Sequence, residues 1–537
     1  MLPNNAPSEA TGEGGRSPES STGVLDRGDL LLALLVGVLS LALYVRTLVP
    51  WLLPGDSGEF QVLVHQVGIA HTTGYPVYML LGKLFISLVP VADIAYRVNL
   101  FSAFMAAMAV ALTCLAGTLA ARSRWGGAAA ALILAVSFTF WSQALIAEVY
   151  TPGAAFLAAV LVGLLAWERT GKGAPLFLAG LFGGLGLGAH ASVGIFAPAA
   201  IIFLALHRSR WRTLWKPALL GAGAGLALYL LAFLIVDLHA PPANIFNAAY
   251  GPARSAWGLS EADIANPITR IIFVGAGRQW RTALYPDPVG VVKKVGEYVA
   301  KLPREFSLLT LILAAAGFLA LIRRDWRLAV LFGLGLLSFW LFYFNYHVGD
   351  IYVFYIPGYL LLAVLAGAGL GAADRFLAAR RLAAMTFLRP LALAALIIIA
   401  ALPVLSPRLP AVAKGEAPFL GAREYLVNSG TRGLRAKAAN TVKALDRDAI
   451  VFIDWNRLYP FYTAAHIDGD RPDLRFIEAT PRAERPGLAL SVIEFVRSRI
   501  GEQPIYSVNR IGELERAGFT FRPVMVGPTP MFRIQAQ

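Results

Sequence analysis

What most restricts this chain is a series of apolar runs, each about 17–25 residues long, separated by short polar connections. A helix rises about 1.5 Å per residue, so runs of this length match a hydrocarbon layer ~30 Å thick. The spacing predicts eleven spanning helices: 29–49, 98–121, 127–147, 150–168, 174–190, 191–206, 216–237, 306–322, 328–345, 352–372 and 389–405. The pair 174–190 and 191–206 is divided at the polar "GAHAS", because the undivided run is too long for one crossing. Charge agrees with this reading. Only 15% of the 537 residues are charged, where a soluble domain carries about a quarter.

Arginine and lysine set the sidedness, since basic residues in short loops mark the cytoplasm. Arg16 and Arg27 precede the first run. Arg122 and Arg124 follow run two, Arg169 and Lys172 run four, and Arg208, Arg210, Arg212 and Lys216 run six. Arg323, Arg324 and Arg327 follow run eight, and Arg375, Arg380, Arg381 and Arg389 run ten. The connections near Glu148, His190 and Asp350 carry none. Eleven spans therefore put all six of these basic clusters on one face, with the N-terminus inside and the C-terminal region outside. This accounts for much of the net charge of +14 without nucleic acid. The single cysteine, Cys114, excludes an intrachain disulfide and a cysteine-based metal site.

Residues 1–26, rich in Ser, Gly, Pro and Glu, read as a disordered cytoplasmic tail rather than a signal peptide. Residues 27–405 form the transmembrane domain, with outer segments at 50–97 and 238–305. Residues 406–537 read as a small extracytoplasmic α/β domain. In it "AKAANTVKAL" is helical, and "DAIVFIDW", "PIYSVN" and "RPVMVG" are strands.

The acids and histidines gather on the outer side. "PGDSGEFQVLVHQVGIAHTTGYPVY", residues 54–78, opens with Asp56 and Glu59 at the spacing of a capping box. "EFQVLVHQVGIAH" would then lie along the membrane surface with His65 and Gln66 toward the headgroups, followed by a second interfacial or half-inserted helix. On that local reading the carboxylates only cap a helix. Glu148, His190 and Asp350, each an ordinary loop residue alone, fall at the same depth as Asp56, Glu59 and His71. Ionisable groups at the membrane are costly and usually functional, which predicts an outward-facing site. A transporter or flippase using Glu148 and Asp350, and a scaffold or sensor acting through the outer domain, are the alternatives. No internal repeat supports the transporter.

These residues carry a resemblance. "GDSGEF" followed by "VGIAHTTGYPVYMLLGKLF" resembles the signature of the DUF2723 membrane proteins, among them the transmembrane O-mannosyltransferases acting on plexin-type domains. Asp56, Ser57, Gly58, Glu59 and Phe60 stand intact. His71, Gly74, Tyr75 and Pro76 are kept, while Thr72 and Thr73 replace two prolines of the family pattern. "RVNLFSA", "WSQALIAEVYT" and "GLGLGAHAS" are further similar blocks. The likeness covers runs one to six and, more loosely, the rest.

The resemblance implies a GT-C-like glycosyltransferase. Such an enzyme is a polytopic membrane protein with an acidic residue in its first outer loop, a polyprenyl-phosphate-linked sugar as donor and a protein or glycan hydroxyl as acceptor. Mannose is the sugar of the relatives, and a bacterial inner (plasma) membrane is the expected location. Inverting displacement needs one base and a stabilised leaving phosphate. Asp56 is the expected base and Glu59 its catalytic neighbour. His71, Tyr75, Arg97, Glu148, His190 and Asp350 are the expected substrate-binding residues. Arg97, His190, Arg254, Arg270, Arg278 and Arg281 are candidates to meet the phosphate. Two acids three residues apart do not make a metal site, so no cofactor is expected, with a divalent cation held by Asp56 and Glu59 as the alternative.

Overall fold

The computed structural model describes residues 25–379, 383–419, 433–478 and 488–537. All but the last two residues of the expected tail, together with Arg16, Arg380 and Arg381, lie outside that set. Among the described residues seven helices are long and apolar enough to cross a bilayer: Arg27–Arg46, Ile94–Ala121, Tyr150–Thr170, Thr213–His239, Trp326–Phe344, Ile351–Ala379 and Leu388–Lys414. An eighth candidate is the pair Pro288–Glu305 and Leu308–Arg324, bent by 108° at its break. All eleven expected runs are helical, but three of them are shorter than a full crossing: Arg124–Val136, Gly173–Leu187 and Ser192–Ala205. The chain is an integral, multi-pass membrane protein. Its exposed leucines, such as Leu30, Leu31, Leu34 and Leu35 on the first helix, are what lipid contact requires.

The expected helix 127–147 breaks at Ser137, whose backbone is extended. A short helix, Phe138–Gln143, follows. The N–H of Thr139 freed by the break donates to Glu305 Oε2 at 2.9 Å, and the Thr139 hydroxyl donates to Glu305 Oε1 at 2.5 Å. A buried carboxylate thus holds the break open. Elsewhere small residues let helices touch backbone to backbone. A Cβ on Gly317 would stand 1.9 Å from the Leu365 carbonyl, and one on Gly369 2.0 Å from that of Leu313.

The C-terminal region is a small α/β domain with a five-stranded sheet. Its strands are β1 (Ile450–Phe452), β2 (Arg475–Ile477), β3 (Ile505–Ser507), β4 (Phe519–Val526) and β5 (Thr529–Ala536), in the order β2-β1-β3-β5-β4. β1 pairs in parallel with both β2 and β3. β4 and β5 form an antiparallel hairpin whose second strand joins β3. β1 is buried throughout, as a central parallel strand should be. Between β1 and β2 runs the helix Trp455–Tyr462, which packs on the helix Gly55–Gln66 of the membrane domain. Arg435 clasps the two domains together. It bonds Asp468 of its own domain at 2.6 Å and also Asp93, whose side chain caps the helix beginning at Ile94.

Candidate active site

Residues 54–78 do not build the capping box or the surface helix that their spacing suggests. The N-cap of Gly55–Gln66 is Pro54, and no side chain caps it. The helix is buried along most of its length, with Val62, Leu63 and Val64 fully enclosed. The reason is tertiary. A Cβ on Gly58 would meet the Leu53 carbonyl at 2.4 Å and Pro460 of the C-terminal domain at 3.4 Å, so glycine lets the helix close against both. Phe60 packs edge-on against Tyr75 and Tyr78, folding the following loop back over the helix.

This loop brings His71 between the two carboxylates. Glu59 is fully buried. Its Oε1 accepts the His71 backbone N–H at 2.8 Å and the Tyr459 hydroxyl at 3.0 Å, and its Oε2 lies 2.5 Å from His71 Nδ1. His71 Nε2 faces Asp56 Oδ2 at 3.8 Å. Asp56 Oδ1 accepts the Trp455 indole N–H at 2.7 Å, and the Asp56 side chain keeps 41% of its surface exposed. Burial opposes a charge on His71, but the carboxylates of Glu59 and Asp56 outweigh it and raise the imidazole to about 10. His71 is therefore an imidazolium at neutral pH. Burial pushes Glu59 upward, against the pull of His71.

Asp56 and His71 open onto a cavity of about 1000 Å³. Tyr75, Glu148, His190 and Asp350 also line it. The Ser57 hydroxyl donates to Glu148 Oε1 at 3.2 Å, and the Tyr150 hydroxyl lies 3.5 Å from Asp350 Oδ2. Burial, then Asp56 and Asp350, push Glu148 well up. Asp350 opens to the cavity yet is walled by protein, and with the Asp56 charge nearby it rises to about 6. His190 is neutral. Its Nδ1 accepts the Ser192 backbone N–H at 3.2 Å, and burial, followed by the His71 charge, lowers it to about 4.

Two expected residues stand off the wall. Glu59 lies behind His71. Arg97 donates to the Val91 and Ala92 carbonyls, each at 2.8 Å, and fastens that loop. The candidate arginines now separate. Arg254 pairs with Glu261 at 2.7 Å, and Arg270 with the buried Asp237 at 2.6 Å. Arg278 is absent from the wall. Arg281 lines the cavity and makes no ion pair among the described residues. Sequence reasoning missed the C-terminal contribution: Asp454, Trp455 and Asn456 line the same cavity. A signal for it exists, because "DWN" directly follows a parallel strand, and ligands favour the carboxyl ends of such strands. Among the described residues no three His, Cys, Asp or Glu side chains are arranged to hold a metal ion.

Residues 56–215 match the family model described as the protein O-mannosyl-transferase TMEM260 N-terminal domain. Protein O-mannosyl-transferase TMEM260 of Mus musculus is 36% identical over 154 residues, 29% of this chain and 21% of that one. The Dictyostelium discoideum counterpart is 26% identical over 140 residues, 26% of this chain and 17% of that one. The match thus spans about a fifth of the curated relatives' length. In fold, the chain is similar to ArnT from Cupriavidus metallidurans bound to undecaprenyl phosphate, with TM-score 0.52 and 14% identity over 94% of this chain and 97% of that one. It is also similar to an Archaeoglobus fulgidus oligosaccharyltransferase crystallised with Zn and sulfate, with TM-score 0.53 and 13% identity over 94% of this chain and 73% of that one. The resemblance carried by the Asp56–Pro76 motif is borne out: over residues 56–215 this chain is similar to the TMEM260 N-terminal domain of protein O-mannosyl-transferases, and as a whole it has a GT-C-like membrane fold.

Proposed function

We propose that this chain is an inverting glycosyltransferase. It moves a sugar, mannose by the names of its relatives, from a polyprenyl-phosphate-linked donor to a Ser or Thr hydroxyl of a protein. One observation carries the reading. Asp56 is a carboxylate with one oxygen occupied by an indole N–H and the other beside an imidazolium, open to a cavity large enough for a sugar and its acceptor. Asp56 takes the acceptor's proton as the acceptor oxygen bonds to the anomeric carbon. The bond from that carbon to the phosphate oxygen breaks, and its electron pair leaves on the phosphate. Arg281 and the His71 imidazolium supply positive charge for the departing group. The extracytoplasmic face is supported by Arg169, Arg324 and Arg375, which cluster at the opposite end of the bundle, where basic residues mark the cytoplasm.

The test is transfer from polyprenyl-phosphate mannose to a serine- and threonine-containing peptide by the full chain in lipid nanodiscs. Asp56→Asn should lower transfer by roughly 10²–10⁴-fold while leaving donor binding intact. Arg281→Ala should raise the donor KM by roughly tenfold, the worth of one charge-assisted contact. Wild-type turnover in Asp56→Asn removes the base from this position.

A further inference from the structure

The helix Trp455–Tyr462 reaches across from the C-terminal domain and contacts both carboxylates of the motif. Trp455 Nε1 donates to Asp56 Oδ1 at 2.7 Å across 399 positions of sequence, and the Tyr459 hydroxyl donates to Glu59 Oε1 at 3.0 Å across 400. Both donors lie four residues apart on one helix, hence on one face, and Asp56 and Glu59 are three apart on the facing helix. The seam is dry at Tyr459 and open to the cavity at Trp455.

We propose that Trp455 is a positioning residue for Asp56: its indole N–H holds the Asp56 carboxylate in one orientation, so the C-terminal domain completes the site on the membrane domain. This rests on Asp56 being the base. A carboxylate at the end of two rotatable bonds can present either oxygen in many directions. An indole N–H fixed on one oxygen leaves the other, Oδ2, as the proton acceptor facing His71 and the cavity. The indole only donates, so it cannot compete for the acceptor's proton. Trp455 also stands edge-on to His71, with ring centroids 5.9 Å apart, and so braces the imidazolium. Tyr459, a turn further along the helix, acts in the same way on Glu59, the carboxylate that holds His71.

The groups facing Asp56 are Glu59 on its own helix, His71 from the following loop, Glu148 and Asp350 across the cavity, and Asp454 on the C-terminal domain, itself paired with Arg457.

The experiment uses the full chain in nanodiscs with its tryptophans labelled at the indole nitrogen. The Trp455 resonance, assigned by its loss in Trp455→Phe, should be that of a hydrogen-bonded indole N–H and should move to a weaker-bonded position in Asp56→Asn. In the mannose-transfer assay Trp455→Phe, which keeps an aromatic ring, should lower kcat about tenfold with the donor KM within about twofold. Tyr459→Phe gives a second, milder variant with the same direction in kcat. An indole signal indifferent to Asp56→Asn, or a Trp455→Phe enzyme with wild-type kcat, overturns the proposal. So does a loss that tracks only the yield of folded protein. An active Asp56→Asn enzyme would instead overturn the base itself, so the two failures are distinguishable.

Discussion

At one end of the membrane bundle, three arginines from three different helices converge on the last turn of Ile94–Ala121. Arg169 donates to the Leu119 carbonyl, Arg324 to that of Ala120 at 2.5 Å and Arg375 to that of Ala121. Near the other end, where the same helix carries Ser102, the Ser102 hydroxyl accepts the Glu148 backbone N–H at 3.1 Å, and the charges beyond it face an open cavity. Both ends hold ionisable groups at a membrane boundary, yet they use them differently. The arginines satisfy carbonyls that every helix C-terminus leaves unpaired, and their charge suits the negative end of the helix dipole. Asp56 keeps one oxygen committed and one free. Charge that caps is spent on stability; charge left with an open valence beside a cavity is available for chemistry.

The largest expected effect breaks that comparison if it is wrong. Asp56→Asn should lower mannose transfer by roughly 10²–10⁴-fold, the usual worth of a general base, with a thermal midpoint near the wild type. A large stability loss in this variant would instead place Asp56 with the structural charges.

Glu59 sharpens the comparison, because it sits at the cavity end but is used like a charge of the other end. Fully buried, it binds His71 twice and Tyr459 once and has no surface on the cavity. Glu59→Gln leaves a buried imidazole without its counter-charge and should cost about 3 kcal/mol of stability, together with a fall in kcat. Measured side by side, midpoint and kcat should fall together. An unshifted midpoint with abolished transfer would make Glu59 a direct participant in the chemistry.

How much of this was legible in the sequence follows from which forces are local. The apolar runs announce their helices because burial in lipid is written residue by residue. The break at Ser137 was not legible, since "AVSFTFW" holds no charge, proline or glycine and the break is held by Glu305, 166 residues beyond Thr139. Asp56 and Glu59 have capping-box spacing, but partners from the C-terminal domain and the His71 loop claim them instead. Asp56, His71, Tyr75, Glu148, His190 and Asp350, singled out by shared depth and by the motif resemblance, line one cavity, whereas Arg97, inside an equally similar block, ties down a loop. Nothing within "DWNRLYPFY" reveals that its tryptophan and tyrosine face a helix 400 positions earlier.

The charge on His71 gives a pH test of intermediate size. Folded, it holds its proton up to about pH 10; unfolded, it releases it near 6.5. The stability contributed by its ion pairing is therefore complete below about pH 6.5 and is lost as pH rises toward 10. Thermal midpoints measured from about pH 6 to 10 should decline in the wild type and decline less in His71→Gln. Parallel slopes for the two proteins would mean that another group carries the alkaline loss.

The smallest effect lies at the arginine end. Arg375→Ala removes one of three donors to the Ile94–Ala121 terminus and leaves the Ala121 carbonyl to find water or Arg122. The expected cost is about 1 kcal/mol, or a midpoint lower by about 2 °C, with kcat and KM unchanged. Because Arg169 and Arg324 hold the neighbouring carbonyls, the double variant Arg324→Ala, Arg375→Ala should cost more than the sum of the singles: the first loss is shared by the remaining donors, and the second is not. Simple additivity would mean that each arginine caps its own carbonyl independently. A change in kcat would mean that the two ends of the bundle are coupled, and that the division between charge that caps and charge that reacts does not hold.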